Sequence, residues 1–233
     1  PPDTHTPRLS SAASDVYKRQ IQEFGCDHTV IATGAKWSAQ VPASDGHTSL
    51  QLPTEGVFTP DDVLDGARLE GPVVIYDFDH YYMGSCLAEL LRNKGLDVTL
   101  VTTANSVSAW TFMNNEMADI RHRMIELDVE VVLESALAGF SNGSVQLRSI
   151  YNGGPSRGID CASLVVVGKK IASDSLFIEL RDIGLPNVRR IGDCNVPGAI
   201  VHAVYSGHEC ARTIDGAEGS DEFAWERPAL TTS

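Results

Sequence analysis

Three features of the chain predict an α/β fold. Short apolar runs at 29–32, 73–77, 97–101, 129–133 and 163–167 alternate with helical patterns, the signature of strand-helix-strand units. Val73-Val74-Ile75-Tyr76-Asp77 runs through a short turn into a helix and then into Asp97-Val98-Thr99-Leu100-Val101, the plan of a βαβ unit. Gly192-Asp193 ends a late strand and precedes the last helix.

Each element has a local reason. Thr29–Ala32 is a strand that ends in Thr33-Gly34, and residues 36–58, rich in Pro, Ser, Gly and Thr, read as an irregular connection. Thr59 is an N-cap, with Pro60 in the first turn and Asp61 and Asp62 against the dipole, so a short helix starts there and stops by Gly66. After strand 73–77, Met83, Cys86, Leu87, Leu90 and Leu91 share one face of a helix over 82–94, which Gly95 caps. Strand 97–101 is followed by a helix over 114–127 carrying Met117, Ile120, Met124 and Leu127 on one side, then strand 129–133. Asn142-Gly143 between 136–140 and 145–150 marks a hairpin. Ser163–Val167 is a buried strand, Ser173-Asp174 start a short helix to Leu180, Val188–Asp193 is a strand, and the last helix spans 199–214.

The bulk numbers narrow the function classes. A chain of 233 residues suits one or two domains. Its net charge of −13 opposes binding to nucleic acid or to an anionic membrane. No apolar run reaches the length of about 18 residues needed to span a membrane. Five cysteines, Cys26, Cys86, Cys161, Cys194 and Cys210, stand far apart without a C-x-x-C pair, which excludes a redox dithiol or zinc ribbon and fits reduced core thiols in a cytoplasmic protein. Residues 1–20 show no helical or strand periodicity and lack the apolar core of a signal peptide. Part of this leader, from Leu9 to Gln20, resembles a translated adaptor read-through, so 1–20 are expected to lie outside the fold. Residue 21 is then an arbitrary cut point in a protein that extends upstream.

Three places carry chemistry. Ala32-Thr33-Gly34 follows a strand, and Gly192-Asp193 ends another, with Ala199 at the start of a helix whose amides suit phosphate. Glycine lets backbone approach a ligand, and the carboxylate of Asp193 can accept a sugar or ribityl hydroxyl. Between these two lies the βαβ unit. A nicotinamide site there would need Gly-x-Gly-x-x-Gly at the turn and an acid about twenty residues on. The chain has Asp77, Asp79 and Tyr82 at the glycine positions, and Val101-Thr102-Thr103-Ala104-Asn105 where the acid belongs. No NAD(P)H binding is expected at this turn. Asp77, Asp79 and His80 are read as a turn filling an empty pocket rather than as metal ligands, and Trp110-Thr111-Phe112 with Tyr81-Tyr82 as aromatics that plug the vacated groove or pack a domain contact.

The order A-T-G, inserted βαβ, I-G-D and helix resembles the C-terminal nucleotide-binding region of the trimethylamine/dimethylamine dehydrogenase family, related to 2,4-dienoyl-CoA reductase and NADH:flavin oxidoreductases. The likeness covers about residues 22–216. It rests on Val30–Trp37, Thr59-Pro60-Asp61, Val73–Leu91, Ile191-Gly192-Asp193 and Ser206-Gly207-His208. It implies an FAD/NAD(P)-binding Rossmann-like fold of two nucleotide-binding-type domains, the first interrupted by the second and truncated at its N-terminus. Residues 21–68 and 185–216 would form the partial FAD/ADP-binding-type domain. Residues 69–184 would form the inserted NAD(P)-binding-like domain with a degenerate loop, followed by a tail at 217–233.

The resemblance also implies function. This would be the C-terminal fragment of a flavin- and iron–sulfur-dependent oxidoreductase, an amine dehydrogenase passing electrons to an external electron-transfer protein. ADP or FAD would sit at Ala32, Thr33, Gly34, Gly192, Asp193 and Ala199. FMN and a 4Fe-4S cluster would belong to an upstream barrel, and the full-length parent would be a homo-oligomer. No catalytic or metal-ligating residue is expected in this fragment, which alone would be inactive. The alternatives are an NAD(P)H-dependent flavin or enoate reductase of the dienoyl-CoA reductase type, and a non-catalytic nucleotide-fold binding module.

Overall fold

The computed structural model describes residues 11–42, 49–151, 154 and 157–214. In chain order the elements are α1 (Ser11–Phe24), β1 (Thr29–Ile31), β2 (Ala35–Trp37), β3 (Val57–Phe58), α2 (Pro60–Leu64), β4 (Val73–Asp77), α3 (Met83–Asn93) and β5 (Val98–Thr102). Then follow α4 (Met117–Glu126), β6 (Glu130–Val132), β7 (Ser135–Ser141), β8 (Ser144–Ser149), β9 (Arg157–Asp160) and β10 (Ser163–Val167). The last are β11 (Lys170–Ala172), α5 (Ser175–Asp182), β12 (Val188–Arg190) and α6 (Ile200–Thr213), with 3₁₀ turns at Ala109–Asn114 and Gly192–Cys194. Lys36–Ile171 is one unit, and the residues up to Ala35 join those from Ala172 onward in a second.

The unit of 36–171 is built on a parallel five-stranded sheet in the order β3-β10-β4-β5-β6. Strands β4 and β10 are buried at every position. The reason is that their side chains feed two separate cores. Val73, Ile75, Val165 and Val167 pack with Val63, Leu87, Leu91 and Met124 of the helices. Val74, Tyr76, Leu164 and Val166 pack instead with Leu137, Val145 and Leu147 of β7 and β8. A parallel sheet covered on both faces reads as a continuous apolar run, which is what β4 and β10 show. Here the second cover is the antiparallel sheet β7-β8-β9. Its hairpin turns at Asn142 and Gly143, both left-handed at φ 52° and 70°, as the Asn-Gly pair predicts.

Local signals set most element ends. Thr59 caps α2 in a capping box with Asp62, and Pro60 opens the helix. Gly95 is left-handed just beyond α3. Cys86 departs from expectation: it is exposed, and Gly84, Ser85, Leu87, Ala88 and Leu91 form the buried face of α3. Ser85 is tolerated there because its hydroxyl donates to Tyr82 O at 3.0 Å and pairs with the buried Ser108 hydroxyl at 3.0 Å. The thiols are likewise not all core groups, since Cys26 is exposed while Cys161, Cys194 and Cys210 are buried.

The second unit holds a parallel two-stranded ribbon of β1 and β12, with α1, α5 and α6. Ile31, Leu180 and Cys194 form its core, with Ile21, Leu176, Phe177, Leu185 and Val188 around them. Residues 11–20, expected outside the fold, are helical and continue into the stretch that carries Ile21. Lys18 on this helix pairs with Glu179 of α5 at 2.9 Å. Residues 1–10 and the tail at 217–233 lie outside the described residues.

This architecture corrects the expected class. Two Rossmann-like FAD/NAD(P)-binding domains would each show a broad parallel sheet with a nucleotide turn. The described residues show one such sheet, backed on one face by an antiparallel sheet, and two ribbons of two strands each. Among the described residues, no helix is long and apolar enough to cross a membrane.

Candidate functional site

Two of the sequence-predicted segments meet. β1 and β12 are parallel neighbours with Ile31 opposite Arg190, so the residues that follow, Ala32–Gly34 and Ile191–Asp193, leave the ribbon side by side. The bond from Ile191 N–H to Ile31 O, 3.0 Å long, carries the pairing one residue further. Thr33 and Cys194 touch at 3.2 Å across 161 residues of sequence.

The side chains at this crevice are already engaged. The Thr33 hydroxyl donates to Ser173 O at 2.5 Å, so it fixes the loop before α5. Asp193 Oδ1 accepts from Gly198 N–H at 3.1 Å, ordering the entry to α6. Ala199 N–H donates to His202 Nδ1 at 3.2 Å, so α6 caps its first turn with its own histidine. Gly34, at φ 75°, has nothing within 4 Å of where a Cβ would stand. Gly192, at φ 59°, would meet only Ala203, at 3.5 Å. Both glycines therefore serve backbone conformation and leave open space at the strand ends.

Three further residues brace this crevice. Ser206 accepts from Gly192 N–H at 2.8 Å and donates to Ala203 O, which pins the turn to α6. Arg189 donates to Thr213 O at 3.2 Å and caps the far end of α6, while Arg190 pairs with Asp174 at 2.5 Å and lies over the Phe177 ring at 5.0 Å. The arginines thus hold the scaffold. A double basic residue at a strand end signals a role but not which one.

The β4–α3 turn is a second cluster. Asp77 is fully buried, and its Oδ1 accepts from the N–H groups of Asp79 at 3.1 Å and His80 at 3.0 Å. Its Oδ2 has no hydrogen-bond partner. Burial pushes the carboxyl up to about 7, against the pull of those two amides. His80 is left-handed at φ 61°, and its ring bridges the Thr102 hydroxyl at 3.1 Å and the Thr103 hydroxyl at 3.2 Å. Burial lowers the His80 pKa and raises that of Asp79. Gly84 packs directly on Asp77: a Cβ there would stand 2.7 Å from the carboxyl carbon. The side chain of Asp77 therefore fills the first turn of α3.

Trp110 and Phe112 do not plug a groove. They are 62% and 67% exposed on a 3₁₀ turn held between left-handed Ser108 and Asn115. Tyr82 bonds to Glu116 and to Asn114 instead of stacking on them. Among the described residues, no cluster of three or more His, Cys, Asp or Glu could hold a metal.

The larger unit falls in a known class. Residues 58–165 match the family model described as OYE-like second alpha/beta domain, and this replaces the FAD/NAD(P)-binding Rossmann-like class expected from the sequence. The chain is 29% identical to a dimethylamine dehydrogenase from Hyphomicrobium sp. (strain x), over 89% of this chain and 32% of that protein. The structure of a histamine dehydrogenase from Rhizobium sp. 4-9 superposes with a TM-score of 0.81 at 30% identity, covering 93% of this chain and 35% of that one. A 6-hydroxypseudooxynicotine amine oxidase from Pseudomonas geniculata N1 gives a TM-score of 0.77 at 34% identity, covering 82% of this chain and 29% of that one. The chain is thus similar along nearly its whole length to a region of these amine-oxidising enzymes, and it spans about a third of the length of these relatives.

Proposed function

We propose that this chain is part of a flavin-dependent oxidoreductase of the amine dehydrogenase type, acting on a secondary or tertiary methylated amine. The observation that carries this reading is the agreement of nearly the whole chain with a histamine dehydrogenase, together with its identity to a dimethylamine dehydrogenase. On this reading, FMN and a four-iron cluster reside in another part of the full-length protein. Electrons removed from the amine leave to an external electron-transfer protein.

Within this chain the strand-end crevice is the candidate position for ADP or FAD. Gly34 and Gly192 supply backbone with room for a ligand, and Asp193 supplies a carboxylate acceptor for a sugar or ribityl hydroxyl. Thr33 and Ala199 support it indirectly, through Ser173 and His202. What favours the site is the convergence of two glycine turns at the carboxyl ends of neighbouring parallel strands.

The test uses the full-length protein. Anaerobic addition of dimethylamine or trimethylamine should bleach the flavin without a nicotinamide cofactor. Bleaching by NADH and not by amines would reject the reading. For the crevice, one hydrogen bond to a charged acceptor is worth roughly 1.5–3 kcal/mol. Asp193→Ala should therefore lower the affinity for ADP about ten- to a hundredfold. Unchanged nucleotide content after purification would remove Asp193 from the site.

A further inference from the structure

Asp77 presents an unusual arrangement. Its carboxyl is sealed from solvent between the turn it anchors and the first residues of α3. One oxygen holds two backbone amides of the turn, and the other meets the wall at Gly84 with no partner. The turn also carries the load of a second segment. His80 O accepts from Trp110 N–H at 3.0 Å, so the backbone of His80 joins Asp77 on one side to the exposed aromatic 3₁₀ turn on the other.

The two protonation states of Asp77 are not equivalent in this setting. A proton on Oδ2 removes the charge and leaves Oδ1 free to keep both amides. Loss of that proton strengthens the two amide bonds but places charge on a buried oxygen with no donor, and the burial cost outweighs that gain. We propose that Asp77 is a buried proton-binding site whose neutral form locks the 78–82 turn, and through His80 the exposed 109–114 segment, and whose ionisation loosens both.

The surrounding groups leave Asp77 as the switch. Asp79 and His80 lie in the same turn, and Asp79 opposes ionisation of Asp77. Tyr76 on β4 is itself pushed up to about 12 by burial and stays neutral. The α3 residue against Asp77 is Gly84, and its register partners are Thr102 on β5 and Val167 on β10, none of which titrates. Lys170 acts on Asp79.

Trp110 reports the event. In a Trp37→Phe/Trp225→Phe background of the full chain, its emission and acrylamide quenching are followed from pH ~5 to ~9. We expect one transition centred near 7, with a red shift and greater quenching on the alkaline side. Asp77→Asn should abolish it, while His80→Gln should leave a transition in place. A transition that survives in Asp77→Asn, or its absence in the parent, overturns the proposal. If Asp77→Asn does not fold, carbon-13 NMR of the aspartate carboxyls in the parent decides: a buried aspartate titrating near neutrality supports the proposal, and none doing so refutes it.

Discussion

Replacing Gly84 by alanine tests whether the contact between α3 and Asp77 is as tight as the geometry states. The added Cβ would lie 2.7 Å from Asp77 Cγ and Oδ2 and 2.8 Å from its Cβ. Non-bonded carbons prefer about 3.5–4.0 Å, so one partner must move by close to an ångström. Asp77 is fully buried, with one oxygen tied to two amides, and has nowhere to retreat. Overpacking of this kind costs about 1–3 kcal/mol. Alanine's helix preference returns up to about 1 kcal/mol. The net expectation is a loss of ~1–2 kcal/mol, or a Tm lower by about 3–6 °C in a chain of this size. Urea denaturation of a double-mutant cycle is the assay. Asp77→Ala removes the contacts to Cγ and Oδ2 and leaves only that to Cβ at 2.8 Å, so Gly84→Ala should cost clearly less in that background, giving a coupling of about 1 kcal/mol. If Gly84→Ala stabilises the parent, or the two changes add, the contact is not the constraint described here.

Two further outcomes are expected. Gly168→Ala would place a Cβ 2.4 Å from Ser38 O and 2.9 Å from Gln40 O, both backbone atoms, and should cost about 3 kcal/mol or more; a urea midpoint equal to that of the parent would contradict it. Because the Asp77 carboxyl is raised from 3.8 to about 7, the folded state binds the proton more tightly than the unfolded state, so stability falls as pH rises from about 4 to about 7. The full shift corresponds to on the order of 4 kcal/mol; Asp77→Asn should flatten that slope in urea melts taken at several pH values, and an unchanged slope would assign the effect elsewhere.

The elements with strong local chemistry were legible in the sequence. Thr59-Pro60-Asp61-Asp62, Asn142-Gly143 and the apolar runs of β4 and β10 encode their conformations within a few residues, and the structure follows them. What lay beyond reach depended on tertiary partners. Nothing local says that Cys86 faces solvent while Ser85 turns inward, because the choice is made by Ser108, 23 residues away. The helix over 11–24 is tied down by Glu179 and by the cluster around Leu180, partners distant in sequence. Asp77, Asp79 and Tyr82 mark the turn after β4 as unsuited to phosphate. Yet the sequence could not reveal that Asp77 itself fills the start of α3. At the crevice, the adjacency of Thr33 and Asp193 depended on strand order, and the roles of Ser206 and Arg190 depended on where α6 and α5 lie.

The two-sided burial of β4 and β10 has a consequence for how the chain finds its alignment. In a strand with one wet face, a slip by one residue turns apolar side chains outward, and the solvent rejects the error. In β10 a slip would merely exchange Val165 and Val167 for Leu164 and Val166, so the apolar pattern carries almost no information about alignment. The information must come from polar groups at the strand ends. Ser163 supplies it at one end: its buried hydroxyl accepts from Glu70 N–H at 3.0 Å and donates to Glu70 O at 2.8 Å. Asp77 supplies it on the neighbouring strand, where only one position lets the carboxyl reach the amides of the turn. A sheet that is uniform in its middle is thus read from its margins, and these few polar atoms act as its index marks.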